Sequence, residues 1–177
     1  MWYNGKYKFT FVGDSAMENL QLIQAKIGDE ELIHNMKYQS FLPLYNRYHD
    51  DNTNPVKEKI SKVIAQLESD ETDYYIILLN SNPVGGVRVV NDGIENDCQL
   101  YRISPIFILP EHQNKGIGYS VLQMLFQKYE NADKWRLSTI KQEKGNCHLY
   151  EKCGFSLGGS EVHINDKMTI VYYEKII

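Results

Sequence analysis

Gln113-Asn114-Lys115-Gly116-Ile117-Gly118 carries the residue types that bind an anion through backbone. Glycine lets the main chain come close to a ligand. A helix starting just beyond offers unpaired N–H groups and the positive end of its dipole, a combination suited to a pyrophosphate. Two glycines also serve an ordinary strand-to-helix turn, so both readings stand on these six residues. Spacing removes two other phosphate motifs. A P-loop needs Gly-Lys followed by Ser or Thr, whereas Lys115 precedes Gly116 and Ile117 follows it. A dinucleotide fingerprint needs a small residue three positions after its second glycine, and that position is Val121.

Other residues able to do chemistry are scattered. Asp50-Asp51 would attract a cation but reads as part of a polar, solvated loop, His49–Asn54. Cys98, Cys147 and Cys153 are odd in number and lack metal or redox spacing, which points to free thiols in a reducing compartment, the cytoplasm by default, and to no metal site. His148 has no carboxylate at useful spacing and reads as a surface or packing residue.

The elements that must position the glycine turn are legible around it. Tyr101–Leu109 is β-branched and aromatic, as in a strand buried on both faces. From Ile117 the apolar residues Ile117, Val121, Leu125 and Tyr129 recur every four positions, widened by Leu122 and Phe126, an amphipathic helix. Trp135–Ile140 is a further strand, and a strand–helix–strand passage of this length favours a parallel crossover. Tyr74–Leu79 and Val84–Val90 make a hairpin around Asn80–Pro83, with a second turn at Asn91-Asp92-Gly93. Gly145–Phe155 reads as a short helix with Asn146 at its start and Gly154 as C-cap. Two strands, about 156–164 and 167–175, close the chain.

The first seventy residues are less explicit. Residues 6–12 alternate as a first strand. Ser15 and Glu18 match a capping box, which predicts a helix including Leu20, Ile23 and Ile27 and stopping at Gly28. Glu31–Tyr48 is helical in pattern, with Pro43 expected to kink or break it. Its aromatics Tyr38, Phe41, Tyr45 and Tyr48 either line an acceptor pocket or belong to the core. Asn54-Pro55 caps a helix to about Glu68, with Ile60, Val63, Ile64 and Leu67 as its buried stripe.

The order is therefore one strand, helices, three strands, helix, strand, helix and two strands: a mixed α/β chain. Gln113-x-x-Gly116-x-Gly118 resembles motif A of the GNAT superfamily of acyl-CoA N-acyltransferases. Asn146-x-x-x-Tyr150-Glu-Lys-x-Gly154-Phe155 resembles its motif B and follows with room for one helix and one strand between. The resemblance covers residues 74 to 175, while residues 1 to 70 match in element order alone. It implies a central, mostly antiparallel sheet with one splayed parallel strand pair, flanked by helices. The chain would form a single domain, 1–177, in which 1–72 shape the acceptor side and 73–177 hold acetyl-CoA.

The family also implies a site. Acetyl-CoA would lie between the strands at 101–109 and 135–140, with Pro105 breaking the pairing locally. Its pantetheine would run along the backbone of Ile106, Phe107 and Ile108, and its pyrophosphate against Gln113, Asn114, Lys115, Gly116, Ile117, Gly118 and Tyr119. Asn146 would cap the helix or bond the cofactor. Tyr150 would bind the cofactor and protonate the departing thiolate. The strand before motif A offers Tyr101, Arg102 and Ser104, none of them a base at neutral pH. Glu111 and Glu143 are the nearest carboxylates, with Glu143 preferred as the catalytic base because it follows the cleft-lining strand. The implied reaction is direct acetyl transfer in a ternary complex to a primary amine of a small molecule or peptide. A non-catalytic acyl-CoA sensor or interaction module is the alternative on the same fold.

Composition agrees with that class and excludes others. The chain has 177 residues, 42% apolar and 24% charged, with a net charge of −4 and no basic block, so a nucleic-acid surface has little support. No stretch reaches the length of a membrane span, and the N-terminus lacks a signal-peptide core. A homodimer is compatible with all of this.

Overall fold

The computed structural model describes residues 8–10 and 19–177. Its strands are β1 (Lys8–Thr10), β2 (Leu20–Gln24), β3 (Thr72–Leu79), β4 (Asn82–Glu95), β5 (Cys98–Ile108), β6 (Lys134–Ile140), β7 (Ser156–Asn165) and β8 (Met168–Ile176). They form one eight-stranded sheet in the order β1-β2-β3-β4-β5-β6-β8-β7. Every neighbouring pair is antiparallel except β5 and β6, which run parallel as the crossover predicts. The helices are α1 (Glu30–Tyr48), α2 (Ile60–Glu68), α3 (Ile117–Lys128) and α4 (Lys144–Lys152). Among the described residues no helix is long and apolar enough to cross a membrane.

Two apolar layers sandwich the sheet. On one face α3 and α4 bury Val121, Leu122, Leu125 and Tyr150 against Tyr101, Ile103, Trp135 and Leu137. On the other, Ile33 and Met36 of α1 and Val63 of α2 pack on Tyr74, Ile76, Leu78 and Phe107. Burying each such side chain stabilises the fold by roughly 1.5–3 kcal/mol.

The structure corrects several local expectations. Leu20–Gln24 is a strand, not a helix; Ser15 and Glu18 lie outside the described residues. Leu20 and Leu22 point into one core and Ile23 into the other, and the segment hydrogen-bonds between β1 and β3, so burial of both faces overrides the helical spacing. Pro43 sits inside an unbroken α1. Packing of Ile33, Met36 and Tyr48 along one side outweighs the backbone bond that proline removes. Asn54 does cap, accepting from the Val56 N–H at 3.0 Å, but it starts only a short 3-10 turn, Pro55–Lys57, and α2 begins at Ile60. Asn91–Gly93 is a bulge within β4, with Gly93 at φ 81°; the turn itself is Asn96-Asp97, both left-handed. Asn146 is not the start of α4, whose N-cap is Glu143; it lies in the first turn.

Candidate active site

β5 and β6 pair only over Leu100–Arg102 and Lys134–Arg136, and beyond these residues the two strands diverge. β5 remains bonded on its other side to β4, as far as Ile108 opposite Gly85. The ladder slips at Ser104 and Pro105, which together face Arg88, and the Arg88 guanidinium holds the Ser104 carbonyl. The Ser104–Pro105 peptide bond is cis. Pro105 has no N–H to give to a ladder, so the break falls where the sequence requires it.

The divergence exposes a strip of backbone. Leu109 N–H bonds to Val84 C=O at 2.8 Å. Antiparallel ladders alternate, so Phe107 is turned to Gly86 while the N–H and C=O groups of Ile106 and Ile108 point away from β4, into the opening. The Gln113 side chain bonds to the Ile108 carbonyl at 2.8 Å, an independent sign of that direction.

At the outer end of this strip lies the start of α3. Asn114 and Gly116 adopt left-handed conformations, φ 57° and 81°, and bring the chain round in a tight turn. The first backbone bond of the helix is Ser120 N–H to Gly116 C=O, which leaves the N–H groups of Ile117, Gly118 and Tyr119 without an intrahelical acceptor. Gly116, the N-cap, brings no side chain to cap this end. The Lys115 ammonium bonds to the Glu111 carbonyl at 2.7 Å. Gly118 abuts α4: a Cβ there would lie 3.1 Å from Leu149 Cδ2.

Two cavities meet in the opening. A groove of ≈ 220 Å³ runs past Ile106, Ile108, Gln113, Gly118, Glu143 and Leu149. A larger cavity of ≈ 410 Å³ lies beyond it, walled by α1, the loop after it, β6 and the β7–β8 hairpin. Phe41, Leu44, Ile106, Asn146 and Tyr150 line both. Tyr150 thus stands at the junction. It is buried, its ring packs against Phe155 and Tyr173, and none of the described residues hydrogen-bonds its hydroxyl. Burial pushes that hydroxyl above the usual tyrosine range, with the neighbouring Cys147 and Cys153 adding to the effect. It is therefore fully protonated at neutral pH.

The sequence-predicted residues divide into groups. Ile106, Ile108, Gln113, Gly118, Asn146 and Tyr150 line one connected space, joined by Phe107, whose ring packs on Phe41 with centroids 6.2 Å apart. Asn114, Lys115, Gly116, Ile117 and Tyr119 form the turn and first helical residues at its outer end. Glu143 borders the groove, but its Oε1 already accepts from Arg47 Nη1 (2.5 Å) and the Tyr48 hydroxyl (2.6 Å). None of the described residues occupies its Oε2. His148 is exposed, and the three cysteines are free thiols. Of the aromatics in α1, Phe41 alone lines the cavities; Tyr38 faces solvent and Tyr45 bonds Asp51.

Other wall residues carry no sequence signal. Val162, Ile164, Met168, Ile170 and Tyr172 reach the larger cavity from the last hairpin. Asp50 corrects the expectation of a solvated loop: it is 2% exposed and lines that cavity. Asp51 alone behaves as expected, exposed and paired with Lys57.

A sheet opened between two parallel strands, with a glycine-led helix start at the mouth, defines a class. The profile of the acetyltransferase (GNAT) family matches residues 38–155, and the chain belongs to that family. Solved structures share the fold. An acetyltransferase from Thermus thermophilus is 17% identical, with a TM-score of 0.68 over 89% of this chain and 97% of its own. A spermidine N-acetyltransferase from Vibrio cholerae in complex with CoA and spermine is 21% identical, with a TM-score of 0.68 over 89% and 95%. The ribosomal L7/L12 alpha-N-protein acetyltransferase RimL in complex with coenzyme A is 14% identical, with a TM-score of 0.69 over 89% and 94%. No curated protein matches the chain in sequence.

Proposed function

We propose that this chain transfers an acetyl group from acetyl-CoA to a primary amine of a small molecule or peptide, by direct attack in a ternary complex. The observation that carries the reading is the junction at Tyr150, where a groove beginning at the unpaired N–H groups of α3 opens into a separate larger cavity. The groove is the donor arm, formed by residues of the segment 73–177. The cavity is the acceptor arm, to which the segment 1–72 contributes Phe41, Leu44 and the loop after α1. Related folds in complex with CoA, with spermidine or a protein amine named as acceptor, support this division.

Each residue then has a task. The N–H groups of Ile117, Gly118 and Tyr119, reached through Gly116, take the pyrophosphate, with Asn114 and Lys115 shaping the turn and Gln113 bracing it to β5. Ile106 and Ile108 offer backbone bonds to pantetheine, and an N–H at this strip polarises the thioester carbonyl, the type of donor worth about 10²–10³ in rate. Asn146 bonds the cofactor at the junction. The thioester supplies an activated acetyl group. As the amine nitrogen forms its C–N bond and the C–S bond breaks, Tyr150 gives its hydroxyl proton to the sulfur. Glu143 Oε2 accepts the amine's surplus proton through water, and exchange with solvent resets both residues, so that overall the amine proton ends on sulfur. β7, the outer strand of the sheet with Leu157 exposed on it, supports self-association as a homodimer, which sedimentation would read.

Thermal shift with acetyl-CoA, coenzyme A and ATP tests the donor arm, since a ligand bound only by the folded state stabilises it by about 2.7 kcal/mol at a hundredfold excess over Kd. Thiol release across a panel of amines tests the chemistry. Binding of acetyl-CoA without release of thiol to any amine would favour the sensor reading; no binding would end both.

A further inference from the structure

Among the described residues, Asp50 is the only charged one lining the ≈ 410 Å³ cavity. The carboxylate is held by its own loop: Oδ1 accepts from the N–H groups of Asn52 (3.1 Å) and Thr53 (2.9 Å), and Oδ2 from the Thr53 hydroxyl. No lysine, arginine or histidine among the described residues pairs with it; Lys57 pairs instead with the neighbouring Asp51 and lies over the Tyr45 ring. A carboxylate buried this far normally has a counter-charge. The other lining residues are uncharged, apolar ones such as Leu44, Ile164, Met168 and Ile170 beside polar ones such as Ser138 and Thr139.

Position matters as much as charge. Asp50, Thr53 and Asn54 line the cavity but not the donor groove, so Asp50 is set away from the junction at Tyr150 where the reacting nitrogen must sit. Among the described residues no cation lines the cavity to receive a carboxylate. In the adjoining groove on the open sheet face, Arg102 is paired with Asp92, and Arg136 with Glu174 and Glu95. We infer that Asp50 is the anchor for a second positive charge on the acceptor. The substrate class is then a diamine, carrying one neutral amine to the thioester and one ammonium to Asp50, with no carboxylate near either. This inference rests on the acetyl-transfer reading and narrows it.

The test compares three acceptors on the intact protein: 1,4-diaminobutane, 1-aminobutane, which lacks the second charge, and ornithine, which adds a carboxylate. The anchor predicts a kcat/KM for the diamine at least about tenfold above each of the others, the scale of a desolvated charge pair. Asp50→Asn keeps an oxygen for both loop N–H groups and removes the charge. It should raise KM for the diamine by about tenfold, bring it level with 1-aminobutane, and leave the Kd for acetyl-CoA unchanged. Equal use of the three amines, preference for ornithine, no turnover of any of them by protein that binds acetyl-CoA, or an unaltered KM in Asp50→Asn would each overturn the anchor. The wild-type comparison decides the matter even if the variant folds poorly. Failure of acetyl-CoA to bind would instead overturn the acetyl-transfer reading beneath it.

Discussion

A Cβ on Gly118 would lie 3.1 Å from Leu149 Cδ2, so the first turn of α3 and the middle of α4 touch at a distance only glycine permits without adjustment. That contact joins the two motifs of the chain, and both residues line the groove proposed to take the donor. Gly118→Ala must push the end of Leu149 aside by a few tenths of an ångström. We expect a stability loss of about 1 kcal/mol, as for mild overpacking, and weaker binding of acetyl-CoA. Because the obstacle is the tip of one flexible side chain, Leu149→Ala in the same molecule should recover much of the lost affinity. Calorimetric titration of the four proteins of this double-mutant cycle reads the coupling, and simple additivity would show that the contact does not shape the groove.

Tyr150→Phe removes the hydroxyl from the junction and leaves the ring packed on Phe155 and Tyr173. The proposed general acid predicts a fall in kcat of about a hundredfold or more, with the Kd for acetyl-CoA little changed. The pH profile adds a second reading. Burial raises the hydroxyl above its ordinary range, and the active form is the protonated one, so a falling limb due to Tyr150 belongs above about pH 10, the free tyrosine value. A wild-type rate that declines well below about pH 10 and persists in Tyr150→Phe would belong to another group.

How much of this was legible follows from how local each signal is. The α3 stripe, the β3–β4 hairpin and the stop of α4, where Cys153 is the C-cap and the left-handed Gly154 follows it one residue later than expected of the cap, depend on residues within one turn or one strand, and the sequence displays them. The helix expected over Leu20–Ile27 fails because β2 is made by partners far along the chain: Leu22 pairs with Ile77, and Leu20 with Leu79. α1 survives Pro43 for a similar reason, since its packing face is supplied by β3 and β5. The residues of the proposed donor side lie in two contiguous motifs, so the sequence sets them next to one another. Those of the proposed acceptor side do not, because Phe41, Asp50, Ser104, Thr139 and Met168 converge from five separate segments. Asp50 in particular looks like any polar loop residue until the fold closes over it.

Glu143 carries two roles that one experiment separates. Its Oε1 ties α4 to the end of α1 through Arg47 and Tyr48, while Oε2 is proposed to take up a proton. Glu143→Gln retains an oxygen for the Tyr48 hydroxyl and abolishes the basic group. The proposal expects kcat to drop by about a hundredfold, with a small loss of stability, because the Arg47 side chain is 60% exposed and water screens such a pair. A lower melting temperature with undiminished kcat would leave Glu143 as a tether only. Arg47→Ala gives the converse, weakening the tie while sparing the carboxylate.

The pair Lys37–Glu58 makes the sharpest prediction about stability. Lys37 projects from α1, is 1% exposed, and bonds Glu58, which also receives Lys62 at 2.8 Å. Burial pulls the Lys37 ammonium below the usual lysine value in spite of its partner. Burial works on Glu58 in the opposite sense, toward a higher value, but the hydrogen bonds from Lys37 and Lys62 outweigh it and hold the carboxyl below the ordinary glutamate range. Glu58→Gln leaves a buried ammonium without its counter-ion, a change that costs roughly 3 kcal/mol in comparable pairs. Lys37→Met removes the desolvated charge itself and should cost far less. The sign of the pH dependence follows from the lowered Glu58 value. Its contribution is fully present above the unfolded glutamate value of about 4.3 and is lost as the pH falls through the lower folded value. Urea unfolding should therefore show a gap between wild type and Glu58→Gln that is wide at neutral pH and narrows as the solution is acidified below about pH 4. A gap that stayed constant into acid would mean that Glu58 acts through shape and packing, and that the charge on Lys37 is compensated elsewhere.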